Sequence, residues 1–223
     1  MKSENNKGFT LVETLVAATI LLLCMGLLFA LFNFGAASFG LAVERQGLQG
    51  QARLIGERLR KDVTLTSFLT LRVVPRTDDS SASRRDILSL ASLSQWSDPA
   101  KFDVLGIPKW DRYVVIQATR GTPGKLFRYQ VTPSPVPPEG WLSPLADLSP
   151  YLNDAAGNDV SMSSELTDSL HQFEVLPQAA DRAVNIRLWL RRYGLKNPNS
   201  QRVREENLQT EWLFISENTW PEL

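Results

Sequence analysis

From Phe9 to Phe34 the chain carries one charged side chain, Glu13, inside an otherwise apolar, helix-forming run. At ~1.5 Å rise per residue that run is ~39 Å long as a helix, enough to cross a ~30 Å hydrocarbon core with some tilt. A carboxylate in such a segment costs ~2.5–3.5 kcal/mol at the helix centre and less near an end, where Glu13 lies. It either snorkels to the headgroup layer or needs a partner. A charged, polar leader precedes the run and stops at Gly8.

The stretch Lys7-Gly8-Phe9-Thr10-Leu11-Val12-Glu13 closely resembles the processing motif of type IV prepilins and type II secretion pseudopilins. Leader, glycine, phenylalanine, glutamate and apolar run all fall at the spacing of that family. The resemblance implies that a prepilin peptidase and methyltransferase cuts between Gly8 and Phe9 and N-methylates Phe9. It further implies that Glu13 pairs with the terminal amine of a neighbouring subunit during assembly. The implied partners are that peptidase, other pilin-like subunits, an inner-membrane assembly platform and the lipid bilayer. The physics of the pairing stands apart from the family: an amine at the edge of a low-dielectric region attracts a carboxylate that little water screens. Glu13 then acts as a register device, joining correctly staggered helices, and catalyses nothing.

An ordinary secretory signal has an apolar core of ~7–15 residues with a small-residue cut after it. Here the recognisable cut precedes the run, so the helix is expected to stay in the mature protein. Lys2 and Lys7 place the leader in the cytoplasm and the C-terminal domain outside, with one pass through the bacterial inner membrane. The domain division is residues 1–8 as leader, 9–34 as the membrane half of a helix, 35–62 as its amphipathic half, and 63–223 as a β-rich globular part. Of the 223 residues 22% are charged, with formal net charge zero, which argues against a protein that coats nucleic acid generally. Cys24 is the only cysteine, so no intramolecular disulfide forms, a departure from many major pilins.

Beyond Phe34, the residues Leu41, Leu48, Ala52, Ile55 and Leu59 recur at spacings that align them on one helix face, with Arg45, Gln49, Arg53, Glu57 and Arg60 on the polar side. A single helix from about Phe9 to about Asp62 follows, its second half docked on a sheet. Gly35, Gly40, Gly47, Gly50 and Gly56 weaken it and read as points of close packing between helices. Val63–Val74 carries the helix end and a first extended segment, and Pro75–Arg85 reads as an exposed loop. Strands are expected at Asp86–Leu93, Tyr113–Thr119, Leu126–Val131, Leu170–Leu176, Ala183–Tyr193 and Thr210–Ile215, the second and third joined as a hairpin. Thr132–Asp159 holds six prolines (Pro133, Pro135, Pro137, Pro138, Pro144 and Pro150) that exclude a central strand, and reads as a solvated insertion over a sheet edge. The expected fold class is α+β: a long N-terminal helix packed on an antiparallel sheet, which also suits the pilin fold.

Enzyme chemistry finds little support. His171 is the single histidine and has no ligand-type neighbours at metal spacing. No nucleophile elbow or phosphate-binding glycine loop occurs. Asn153–Asp159 concentrates oxygen ligands around Gly157 but lacks calcium-loop spacing, so it reads as a polar turn. No catalytic residue, metal or cofactor is expected. The face Arg187, Trp189, Arg191 and Tyr193, with Arg192 and Lys196 nearby, interleaves base and aromatic. It reads first as the wet side of a sheet, and next as a surface for another pilin-like subunit. An acidic or carbohydrate partner suits it too, and nucleic acid is the less favoured occupant. In layout the chain is similar to the J-type minor pseudopilins and W-type minor pilins. Glu13 speaks against a K-type tip subunit, which typically lacks that residue. The alternatives are an adhesive or DNA-binding minor pilin of a competence or uptake system, and a membrane-anchored domain that never polymerises.

Overall fold

The computed structural model describes residues 10–133, 144–145, 147–156, 160–193 and 205–217. Gly8, Phe9, Lys196 and most of the proline-rich stretch lie outside them. The chain divides into two compact units, Met1–Glu44 and Arg45–Leu223. Helix α1 runs from Leu11 to Leu65. In the first unit its apolar side chains are exposed all round, from Leu11 through Phe34. It is long and apolar enough to cross a membrane.

In the second unit α1 is amphipathic as its spacing requires. Leu48, Ala52, Ile55, Leu59 and Val63 are buried against a seven-stranded antiparallel sheet. Burying a Leu, Ile or Val side chain stabilises by ~1.5–3 kcal/mol. The strands are β1 (Arg72–Val74), β2 (Ile87–Ser92), β3 (Arg112–Ala118), β4 (Gly124–Val131), β5 (Val160–Gln178), β6 (Ala183–Tyr193) and β7 (Glu205–Ile215). They lie in the sheet in chain order, each antiparallel to the next. Such a meander needs only local connections. The expected hairpin is present, with Tyr113 opposite Val131 and Ala118 opposite Leu126.

One sheet face, carrying Leu90, Ile116, Leu126, Phe173, Ile186 and Leu188, packs on α1. The other is covered over β2–β4 by a second core containing Val115, Tyr129, Trp110, Leu148 and Tyr151. Leu148 and Tyr151 flank or lie in a short helix α2 (Ser149–Leu152). The described end of the proline-rich segment is therefore docked on a sheet face and is no solvated cover for an edge.

Several expectations shift. Pro75–Arg85 is not simply exposed, because Asp78 and Arg85 are buried within it. Residues 84–86 meet β5 through a parallel bridge from Arg85 to Phe173, which the curl of the sheet permits. β5 begins at Val160 rather than Leu170, and β7 at Glu205 rather than Thr210. Both extensions are polar or alternate weakly, so backbone pairing extends where side-chain pattern gives no signal. Of the α1 glycines, Gly56 packs closely, but against the Trp212 indole of β7 rather than another helix.

Candidate functional site

The N-terminal end of α1 is organised by Thr10 and Glu13. The Thr10 backbone N–H and hydroxyl each donate to Glu13 Oε2 at 2.9 Å, and the Glu13 N–H donates to Thr10 Oγ1 at 3.3 Å. This reciprocal arrangement is a capping box, the T-x-x-E pattern that satisfies two of the free donors of a helix start. The T-x-x-E spacing of Thr10 and Glu13 is the sequence signal of this helix start, and the reading of Glu13 as an assembly residue passes over it. Thr14 and Thr19 return their hydroxyls to backbone carbonyls of the preceding turn, so their polarity is spent inside the helix. Both Thr10 donations fall on one oxygen of the Glu13 carboxylate, Oε2. The other, Oε1, makes none of them.

In the second unit, the face over β5–β7 opposite α1 carries Arg187, Trp189 and Arg191 in alternation on β6, while the side chain of Tyr193 lies outside the described residues. Strand register supplies their neighbours. Arg187 lies between Glu174 on β5 and Glu211 on β7, and Trp189 between Gln172 and Gln209. The guanidinium of Arg187 contacts Glu174 Oε2 at 3.5 Å and Glu211 Oε1 at 3.2 Å. Asn185 donates to Glu211 as well, at 2.6 Å. Hydrogen bonds from Asn185 and Arg187 hold the Glu211 carboxyl below its usual range, and Glu211 in turn raises Arg187. Arg191 pairs with Glu205. The bases of this face are thus paired with carboxylates.

His171 sits at a register shift in β5 and stacks edge-on against Trp189, ring centroids 4.1 Å apart. Its Nε2 lies 3.4 Å from Ser83 Oγ. Asp154, in the candidate calcium loop, pairs with the guanidinium groups of Arg76 at 2.8 Å and Arg120 at 3.7 Å and accepts from the Arg120 backbone N–H at 3.0 Å, so cations from two other segments already occupy it. Among the described residues no cluster of three metal-ligating side chains occurs.

Helix, sheet and N-terminal geometry define an α+β protein headed by an apolar helix of membrane-crossing length. The family model described as the prokaryotic N-terminal methylation motif matches residues 4–29. Over those residues the chain is similar to N-termini that carry this methylation motif, which supports a type IV prepilin-like family. Comparisons with curated proteins and with solved structures returned no match.

Proposed function

We propose that this chain is a minor pilin-like structural subunit, cut between Gly8 and Phe9, N-methylated at Phe9 and assembled with other pilin-like subunits into a type IV pilus or a type II secretion pseudopilus. The methylation motif over residues 4–29, running into an apolar helix with a single carboxylate, carries this reading. In it, the chain first rests in the inner membrane, leader in the cytoplasm and β-rich domain outside. The peptidase frees the Phe9 amine, the assembly platform draws the helix from the bilayer, and the apolar stripes of neighbouring helices bundle. The size and order of elements favour a J-type or W-type minor subunit over a small major pilin.

The test is the intact and N-terminal peptide mass of the protein purified from its native membrane. A chain that begins at methylated Phe9 is expected. A chain that still begins at Met1, from cells with a working prepilin peptidase, would overturn the reading and leave a plain membrane anchor.

A further inference from the structure

We infer that the open face of β5–β7 is a saccharide-binding site, centred on Trp189 and lined by Gln172, Gln209, Arg187 and Glu211. These side chains border a cleft of about 400 Å³, inside the range that small ligands occupy. The proposal goes beyond the filament reading and does not depend on it.

Charge decides the ligand class. Arg187 is bracketed by Glu174 and Glu211, so its rung of the sheet holds one cation against two anions. A phosphodiester or other polyanion finds no uncompensated positive charge there, and nearby Arg191 is held by Glu205. A free cation is disfavoured too, because both carboxylates are engaged by the guanidinium and Glu211 also by the Asn185 amide. What remains suits a neutral, hydroxyl-rich molecule.

The next rung supplies the complementary surface. Trp189 stands between Gln172 and Gln209, one carboxamide on each neighbouring strand. An indole offers a flat apolar plane for the C–H face of a sugar ring. A carboxamide offers both donors and an acceptor to adjacent hydroxyls, and a paired carboxylate or guanidinium makes the stronger, charge-assisted bonds. The His171 ring packed against Trp189 fixes the indole before a ligand arrives, which reduces the ordering cost of binding.

The experiment is calorimetric titration of the full chain with linear neutral hexasaccharides of glucose, mannose and N-acetylglucosamine. The protein is held in lipid nanodiscs, because maltoside or glucoside detergents would compete. Saturable, salt-insensitive binding of at least one hexasaccharide is expected. Trp189→Ala should weaken it about tenfold or more, and Gln209→Ala, an exposed change that leaves the fold intact, about fivefold. Trp189→Phe, which keeps a ring, should retain most of the affinity. No binding to any of the three, or binding that both Trp189→Ala and Gln209→Ala leave unchanged, would overturn the assignment. So would preferential, salt-sensitive binding of single-stranded DNA or heparin at the same residues.

Discussion

Arg85 shows what one residue can hide from a sequence reading. Its side chain is fully buried, 3.7 Å from Asp78 Oδ2, with a long bond of 3.4 Å to the Gly121 carbonyl. Two of its nitrogens, Nε and Nη1, have no partner among the described residues, and burial pulls its pKa down. Burial would by itself raise the Asp78 carboxyl, but bonds from Thr122, Ser80 and Ser81, with the charge of Arg85, hold it low. The polar loop Pro75–Arg85 reads as exposed, yet Asp78 is satisfied within it by Ser80, Ser81 and Arg85 and from the β3–β4 hairpin by Thr122. His171 is the testable member of this neighbourhood. Burial, and then the positive charges of Arg191 and Arg85, push it below its ordinary value near 6.5, against the smaller pull of Asp78 and Glu205. The folded chain then binds fewer protons than the unfolded chain once pH falls to that ordinary value. Stability is therefore full above about pH 6.5 and declines as pH falls through and below it. Because the chain has a single histidine, its imidazole proton resonance reports the folded value directly. His171→Gln should flatten the fall in melting temperature between about pH 7 and 5. A titration midpoint at or above the ordinary value would show that the packing does not penalise the charged ring.

At the scale of elements, the second half of α1 was readable because Leu48, Ala52, Ile55 and Leu59 repeat at helical spacing. β6 was equally readable because Val184, Ile186, Leu188 and Leu190 alternate with polar residues. Periodicity fails where a strand has no apolar face to declare, as in β5 from Val160 to Ser169, whose side chains are mostly exposed or half-buried. It also says nothing about lateral neighbours. Arg187 and Trp189 looked like a basic, aromatic stripe, and only the register with β5 and β7 reveals the carboxylates and carboxamides beside them. The helix–sheet contact gives a paired prediction from two glycines of the same helix. A Cβ at Gly56 would lie 2.9 Å from ring atoms of Trp212, closer than side chains tolerate, whereas a Cβ at Gly50 meets nothing within 4 Å. Gly56→Ala should therefore destabilise the domain by ~1–3 kcal/mol through overpacking. Gly50→Ala should stabilise it by up to ~1 kcal/mol through helix propensity. Thermal melts of the two variants, followed by circular dichroism, should move in opposite directions. Equal shifts would mean that the glycines serve flexibility alike rather than fit.

For the whole molecule, the decisive matter is whether Glu13 works inside one chain or between chains. Within the chain it completes the capping box with Thr10, a contribution of about 1 kcal/mol. In the proposed bundle of such helices it would also meet the amine that the proposed cleavage after Gly8 would create on a neighbour. Removing one partner from a poorly solvated pair of that kind costs ~3–5 kcal/mol. Each ~1.4 kcal/mol is a factor of ten in an equilibrium, so the two roles differ by well over tenfold in their effect on assembly. Glu13→Ala should leave leader cleavage intact and lower incorporation into filaments by ~100-fold or more. Thr10→Val isolates the other role, since it deletes the hydroxyl that Glu13 engages and keeps the carboxylate. It should lower incorporation by less than about tenfold. Quantifying each variant in sheared filaments against its level in the membrane separates assembly from expression. If Glu13→Ala incorporates normally, the carboxylate serves only its own helix. If Thr10→Val fails as badly as Glu13→Ala, the ordered helix start, and not the charge pair, sets the stagger of the subunits.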